Sequence, residues 1–420
     1  MKFSVITPEH TEDNLPFLIE LFDSLKNQTY EDWEWILFLN NGIKQNYLPE
    51  YLVNHEKVYV YLDPNPIDKK IGRIKNEAFS LGSGDILVEV DHDDQLTPDC
   101  LEELYKVYSS DSEIGFVYSD VAMYDMRGDW TPYRPDFGWE WRPFKFKDLN
   151  LKAPYSWDVS SHTVSQIYYG PDHVRSWRKE VYNNVGKHDR SYDVCDDQEL
   201  IIRTYLNTKI HHIKKPLYIY RITGNNTWME RVKKIRETSW DLFHENIRTL
   251  VAKDCKDKGL LKVDIGGGLN PFRDYITIDL RPEADIQGDL NEKFPLEDNS
   301  VGLLNAHHIL EHLKNPMFSM QEIYRVLAHG GWAFIEVPST DGRGAWQDPT
   351  HISYWNKNSF WYYTDRNYAE FADAGVRFQV FKLEDYFPTK FMRDNNILVT
   401  CAVLVAIKNN NIRFPGPLKI

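Results

Sequence analysis

Cysteine is scarce in this chain. The four in 420 residues, Cys100, Cys195, Cys255 and Cys401, are scattered with no Cys-x-x-Cys pair, which excludes a disulfide framework and a thiolate zinc site and points to a reducing setting. An excess of basic charge is also missing: 49 Lys and Arg stand against 63 Asp and Glu, a formal net charge of −14. The clustered cationic surface of a nucleic-acid binder is therefore not expected. Long apolar runs are absent too. The longest near the C-terminal end, residues 397–407, is broken by Thr400 and falls well short of the roughly 20 residues a membrane span requires. The opening Met1-Lys2-Phe3-Ser4-Val5-Ile6 runs straight into Thr7-Pro8 without the apolar core of a secretory leader and reads as a first strand. Internal repeats and low-complexity tracts are likewise missing.

What is present is a chain too long for one hydrophobic core, so two domains are expected. Aromatic residues make up 14% of it, an abundance that ordinary packing accounts for and that a sugar-binding cleft would also use. Over residues 1–120, strand-like runs at 3–6, 35–39, 58–62, 86–90 and 115–118 alternate with helical spacing at 15–25 and 73–81. That βα order predicts a mostly parallel sheet. Residues 121–175, rich in Trp, Pro, Tyr and Asp, read as loops and short elements over a cleft, and helical patterning returns over 176–210. A charged, helix-compatible segment at 230–258 reads as a connector. A second βα series begins at 259, with strands at 262–265, 275–278, 301–305 and 331–337 and a late pair near 378–383 and 397–407. The predicted organisation is α/β in two domains, 1–229 and 259–408, with a helical linker at 230–258 and a loose tail at 409–420.

Each half carries a chemical motif at a strand end. In the first, the strand-like Asp85-Ile-Leu-Val-Glu-Val90 runs into Asp91-His92-Asp93-Asp94. An acidic cluster there can hold a divalent cation and, through it, a diphosphate. In the second, Leu260-Leu-Lys-Val263 runs into Asp264-Ile265-Gly266-Gly267-Gly268, and the next strand ends at Asp279. A glycine turn lets backbone approach a nucleoside closely. A nicotinamide site is disfavoured, because G-x-G-x-x-G would need glycine where Pro271 stands.

The first half resembles the inverting family 2 glycosyltransferases of the GT-A fold over roughly residues 1–225. The likeness is carried by Ser4-Val-Ile-Thr-Pro8, by Ser24-Leu25, Gln28-Thr-Tyr30 and Trp33-Glu-Trp35, and by Ile71-Gly-Arg-Ile-Lys-Asn-Glu-Ala78 ahead of the aspartates. It implies a nucleotide-sugar donor, a glycan acceptor and a divalent cation, Mn²⁺ or Mg²⁺. Asp93 and Asp91 then take the places of the D-x-D carboxylates, with Asp93 on the metal, Asp91 also near the donor ribose or sugar, and Asp94 supporting. Thr7, Pro8, Asn40, Arg73 and Lys75 become the further donor contacts. An acceptor hydroxyl needs a base as it attacks, and Asp196-Asp197-Gln-Glu-Leu200 matches the family's acidic motif, with Asp197 as that base. Two aspartates at a helix start are also favourable without catalysis. The chain departs from the family where Asn40-Asn41-Gly42 replaces the usual base-reading aspartate and Lys75-Asn76 replaces the Arg-Asn pair. A uridine diphosphate donor is the first guess.

The second half resembles class I S-adenosylmethionine-dependent methyltransferases over about residues 259–365. After Asp264, Gly266 and Gly268 come Asp279, then Gly288-Asp289-Leu290, His307 and His308-Ile-Leu-Glu-His312, Glu322-Ile-Tyr-Arg-Val-Leu327 and Gly330-Gly331. The likeness implies a Rossmann-like fold binding S-adenosylmethionine, with Asp264, Gly266, Gly268, Asp279, Asp289 and His307 around the cofactor. Asp348-Pro-Thr-His351, followed by Tyr354-Trp355, resembles a motif of methyltransferases that act on sugar hydroxyls. His351 becomes the base, and Asp348 orients it or helps to hold a metal; a proline turn with a structural histidine is the plainer alternative.

Together the halves point to a bifunctional glycan-building enzyme, one that adds a sugar and methylates a sugar hydroxyl. Similar fusions occur in bacterial surface-polysaccharide pathways and in large viruses. The expected location is the cytoplasm, of a bacterium or of an infected host. A methyltransferase acting on a non-sugar acceptor and a carbohydrate-binding scaffold with relic sites are the alternatives.

Overall fold

The computed structural model describes residues 1–126, 133–166, 170–224, 226–268, 270–372, 374–409 and 414–416. The chain divides into two compact units, Met1–Leu250 and Val251–Ile420.

The first unit is built on a ten-stranded sheet. Its strands are β1 (Phe3–Glu9), β2 (Trp33–Leu39), β3 (Val58–Leu62), β4 (Ile86–Glu89), β5 (Gln95–Leu96), β6 (Ile114–Asp125), β7 (Trp141–Phe146), β8 (Leu149–Pro154), β9 (Arg175–Arg178) and β10 (Lys209–Ile222), in the order β3-β2-β1-β4-β9-β6-β10-β5, with the β7–β8 pair attached to β6. β1 lies parallel to both β2 and β4. Every residue of β2 is buried, as expected of a parallel strand covered on both faces. Helix α1 (Leu15–Lys26) covers one face with Leu18, Leu21, Phe22 and Leu25, a helical stripe packed on Phe3, Val5, Trp35 and Leu37. Helix α2 (Ile71–Ser80) covers the other with Ile74, Ala78 and Phe79 against Ile6, Ile36, Leu87 and Trp177. The strand order turns between β1 and β4, and a crevice forms at the carboxyl ends of strands where such an order reverses. Asp91–Asp94 leave β4 at that edge.

The segment expected to be loops is more ordered than its composition suggests. β6 continues to Asp125, and β7 and β8 form an antiparallel hairpin with Trp141 opposite Pro154 and Phe146 opposite Leu149. Pro143 interrupts the alternation. The turn at Lys147-Asp148, with Lys147 at φ +51°, carries none of the glycine or asparagine that usually announces such a turn.

The second unit is a seven-stranded sheet of β11 (Leu261–Ile265), β12 (Ile276–Asp279), β13 (Ile286–Gln287), β14 (Val301–His307), β15 (Leu327–Pro338), β16 (Phe378–Tyr386) and β17 (Val399–Ala406), in the order β13-β12-β11-β14-β15-β17-β16. The first five run parallel and β17 is antiparallel to both β15 and β16. The order reverses between β11 and β14, so the carboxyl ends of β11, β12 and β14 are where a ligand is expected to bind in such a sheet.

The segment read as a connector is the helix Val232–Lys258, and the division between units falls inside it rather than at its ends. Ile235, Leu242 and Leu250 pack with Val194, Ile201, Ile202 and Tyr205 in the first unit. Its early turns therefore belong to that unit's core. The tail also differs from expectation. Phe414, Pro415 and Gly416 are buried, Gln379 Nε2 donates to the Pro415 carbonyl at 3.2 Å, and Phe414 meets the His329 ring edge-on. Among the described residues no helix is long and apolar enough to cross a membrane.

Candidate functional site

In the first unit the chain leaves β4 at Val90 and turns through Asp91-His92-Asp93-Asp94 into β5, braced from β10. Tyr218 Oη accepts from the Asp91 N–H at 3.0 Å, Arg221 Nε donates to the Asp93 carbonyl at 2.7 Å, and the Arg221 N–H donates to Asp94 Oδ1 at 2.7 Å. Asp94 is buried, while Asp91 and Asp93 are half-buried. Burial pushes the Asp93 carboxyl up, with His92 opposing. Burial and then the neighbouring Asp93 and Asp91 push Asp94 well up. A fourth carboxylate, Glu9, is fully buried at the end of β1. Its Oε1 accepts from the N–H groups of His10 and Thr11 at 2.6 and 2.9 Å, and its Oε2 has no hydrogen-bond partner. Ligand atoms of Glu9, His10 and His92 all lie within 4.8 Å of one another. The unpartnered buried oxygen of Glu9, with the carboxylates of the Asp91–Asp94 turn as further oxygen donors, suits a hard divalent cation.

Behind this edge lies a buried ionic network. Helix α3 (Asp196–Asn207) presents two aspartates at its start. Arg175 Nη1 donates to Asp197 Oδ2 at 2.6 Å and lies 3.7 Å from Glu89 Oε2, while Lys75 Nζ reaches Glu89 Oε1 at 2.5 Å and lies 3.8 Å from Asp196 Oδ2. Burial pushes the Asp196 carboxyl up; Lys75 opposes this and Asp197 adds to it. Burial works the same way on Asp197, but Arg175 and Lys75 together hold that carboxyl below its ordinary range. The Asp196 side chain is 4% exposed and that of Asp197 25%. Asp197 is thus the ionised, reachable member of the pair.

Three expected donor contacts turn inward instead. The Thr7 hydroxyl accepts from Trp35 Nε1 at 3.0 Å and is fully buried, since strand alternation puts Thr7 on the face of Phe3 and Val5. Arg73 forms a fork on Asp63 at 3.0 and 2.7 Å and also donates to Glu77. Lys75 belongs to the Glu89 network. Pro8 is half-buried at the site edge, and Asn40 is buried with its N–H on the Glu9 carbonyl at 2.8 Å. Glu9, Glu89, Arg175 and Arg221 were missed by sequence reasoning. Glu89 had a signal: a charge inside the apolar run 86–90 demands a buried partner.

In the second unit β11 ends at Ile265 and turns through Gly266 (φ +69°) and Gly268 (φ +54°). A Cβ at Gly266 would lie 2.4 Å from Ile309 Cγ1, and one at Gly267 would lie 2.7 Å from Asp264 Oδ2. Asp264 is a brace rather than the expected cofactor contact. It is 2% exposed, its Oδ1 accepts from Asn305 Nδ2 at 2.7 Å, and its Oδ2 accepts from the Phe272 N–H at 3.0 Å. Asp279, ending β12, accepts from the Gly268 and Arg281 N–H groups at 3.0 and 3.1 Å and keeps further lone pairs. Asp289 is exposed and held by Asn291. His307 ends β14 with Nε2 3.3 Å from Glu336 Oε2 and its ring edge-on to Phe272. A side-chain-free turn beside an acid at the neighbouring strand end fits the nucleoside and methionine parts of S-adenosylmethionine. His351 stands on a later loop, with its Nδ1 3.0 Å from the Ala345 carbonyl.

Comparison with known proteins gives a separate match in each unit. Residues 4–166 match the family model described as glycosyl transferase family 2, and residues 268–335 match a methyltransferase domain. The chain therefore joins two α/β units, one carrying the glycosyl transferase family 2 match and the other the methyltransferase match. Among curated relatives, the O-antigen biosynthesis protein RfbC of Myxococcus xanthus is 25% identical over 51% of this chain and 15% of its own length. The uncharacterized glycosyltransferase MJ1057 of Methanocaldococcus jannaschii is 23% identical over 55% of this chain and 74% of its own. Among solved structures, Staphylococcus aureus TarS 1–349 in complex with UDP covers 58% of this chain and 64% of its own at 18% identity, with a TM-score of 0.41.

Proposed function

We propose that this chain is a bifunctional glycan-building enzyme, in which the first unit transfers a sugar from a nucleotide-sugar to a glycan hydroxyl with inversion and the second methylates a sugar hydroxyl from S-adenosylmethionine. The observation that carries the reading is the pairing, in one chain, of a carboxylate cluster and a glycine turn, each at the carboxyl edge of a sheet where its strand order reverses.

In the first unit Asp197 takes the proton of the acceptor hydroxyl as it attacks the anomeric carbon from the side opposite the leaving diphosphate. Its lowered pKa keeps it ionised at neutral pH, and Arg175 fixes its direction. Asp91 and Asp93, with Glu9 behind them, would hold Mn²⁺ or Mg²⁺, which supplies positive charge to the departing diphosphate. A uridine diphosphate sugar is the first donor to try. In the second unit Asp279 suits the cofactor ribose, the glycine turn its methionine part, and Asp289 the adenine. His351 stands on the acceptor side.

The test is calorimetric binding of S-adenosylmethionine and a panel of nucleoside diphosphates, with and without Mn²⁺, to the whole chain. Cofactor binding together with one Mn²⁺-dependent nucleotide supports the reading. A chain that binds only one of the two classes overturns bifunctionality.

A further inference from the structure

A second group of ligand-type side chains lies in the second unit. Glu311, His312 and His351 each offer a ligand atom, all within 4.8 Å of one another. Glu311 and His312 sit on the short 3-10 turn Leu310–His312 that follows β14. His351 is brought to them because the Glu311 carbonyl accepts from the N–H groups of Ile352 and Ser353 at 2.9 and 3.0 Å.

The two imidazoles are set the same way. His351 Nδ1 faces the Ala345 carbonyl at 3.0 Å. A carbonyl only accepts, so Nδ1 carries the proton and Nε2 the lone pair. His312 Nδ1 lies 3.2 Å from both the carbonyl and the hydroxyl oxygen of Thr350. That hydroxyl donates to Asp348 Oδ1 at 2.6 Å, so it too accepts from His312. The lone pair of His312 is therefore also on Nε2. Histidines that ligate metals show this arrangement, the far ring N–H tied to a carbonyl or carboxylate so that tautomer and direction are fixed.

Glu311 completes the set. It is 2% exposed; its Oε1 faces His308 Nδ1 at 3.3 Å, and its Oε2 is buried with no hydrogen-bond partner. A buried carboxylate oxygen left unpaired is costly, and a cation is a partner that satisfies it. Two imidazole nitrogens and a carboxylate suit Zn²⁺ and its first-row neighbours, whereas the all-oxygen D-x-D pair of the first unit suits Mg²⁺ or Mn²⁺.

We propose that Glu311, His312 and His351 bind a divalent first-row transition cation of the Zn²⁺ type, and that this cation positions and acidifies the hydroxyl to be methylated. The second clause rests on the reading of this unit as an O-methyltransferase; the binding site does not. Ile309, two residues before Glu311, closes over Gly266, which places the cation beside the cofactor turn. The hydroxyl joins the cation and loses its proton to Asp348, whose Oδ2 lies 3.9 Å from His351 Nε2. The oxygen attacks the methyl carbon, and the electron pair of the breaking C–S bond stays on sulfur, leaving a neutral thioether. His351 is then a ligand rather than a free base.

The experiment uses the full-length chain carrying Asp93→Ala and His10→Ala, so that the first unit does not contribute, stripped of metal and titrated with Co²⁺ while its visible absorption is followed. One equivalent should bind with a ligand-field band. His351→Gln and Glu311→Gln should each weaken binding at least tenfold while S-adenosylmethionine affinity, measured as the check on folding, stays within twofold. Equal Co²⁺ binding by all three chains, or none by the parent, overturns the site. Full occupancy with no methylation of any sugar acceptor overturns the O-methyltransferase reading and leaves the site standing.

Discussion

Arg175 holds the carboxylate of Asp197 at 2.6 Å with a guanidinium that is itself 3% exposed. Two separate elements of the first unit, β9 and the start of α3, are thereby joined. A buried charge pair of this kind is weak evidence for stability but strong evidence for geometry, because removing one partner leaves the other charge uncompensated.

Replacing Arg175 by Met should therefore change the pH profile of sugar transfer. Arg175 lowers the Asp197 pKa, so its loss raises it, and the acid limb of kcat/KM moves to higher pH by about 1–3 units. The variant should also unfold more easily, by about 3–5 kcal/mol. An unmoved acid limb in a folded variant would remove Asp197 as the base.

Asp93→Ala should lower sugar transfer by about 10²–10³-fold or more, the scale on which charge stabilisation at a leaving group acts. The affinity for S-adenosylmethionine should be unchanged. Isothermal titration with both ligand classes separates the two effects; coupled loss would mean the sites are not independent.

Gly266→Ala should act in the opposite sense. The position has φ +69° and a Cβ would press on Ile309, so a left-handed penalty of about 1–2 kcal/mol adds to about 1–3 kcal/mol of overpacking. Cofactor binding should weaken strongly while nucleotide binding persists. Normal affinity for S-adenosylmethionine would place the cofactor elsewhere.

Glu34 provides a test of acid stability. Burial would raise its pKa, but the Lys2 ammonium, the Ser4 hydroxyl and the Ser83 N–H, each at 2.6 Å, hold it at about 2. A carboxyl whose folded pKa lies below its unfolded value stabilises the fold above the unfolded pKa and loses that contribution as pH falls through the folded one. Wild type should therefore be more stable than Glu34→Gln by about 1.5–3 kcal/mol at neutral pH. The difference should shrink between about pH 4.5 and 2, read as urea midpoints for the first unit's transition. A constant difference would show that the carboxylate's charge is immaterial.

Much of this protein was legible as pattern. Apolar runs near residues 3, 35, 58, 86 and 263, the aspartates after β4 and the glycine turn after β11 are local features, and local chemistry announces them. The β7–β8 hairpin was not legible, because Lys147 adopts a positive φ that its side chain does not advertise. The ordered stretch at 414–416 was hidden too, since its partners, Gln379 and His329, are remote in sequence.

The sequence by itself determined the two α/β units and the strand ends at which chemistry is placed, because hydrophobic periodicity and glycine or carboxylate punctuation act within a few residues. Only the tertiary structure decided which polar atoms are free. Thr7, Arg73, Lys75 and Asp264 are matched to Trp35, Asp63, Glu89 and Asn305, while Glu9 and Glu311 each keep a buried oxygen unpartnered. The physical reason is that a buried polar group must find a partner wherever the fold brings one, and strand order and loop return, not local pattern, determine which groups meet.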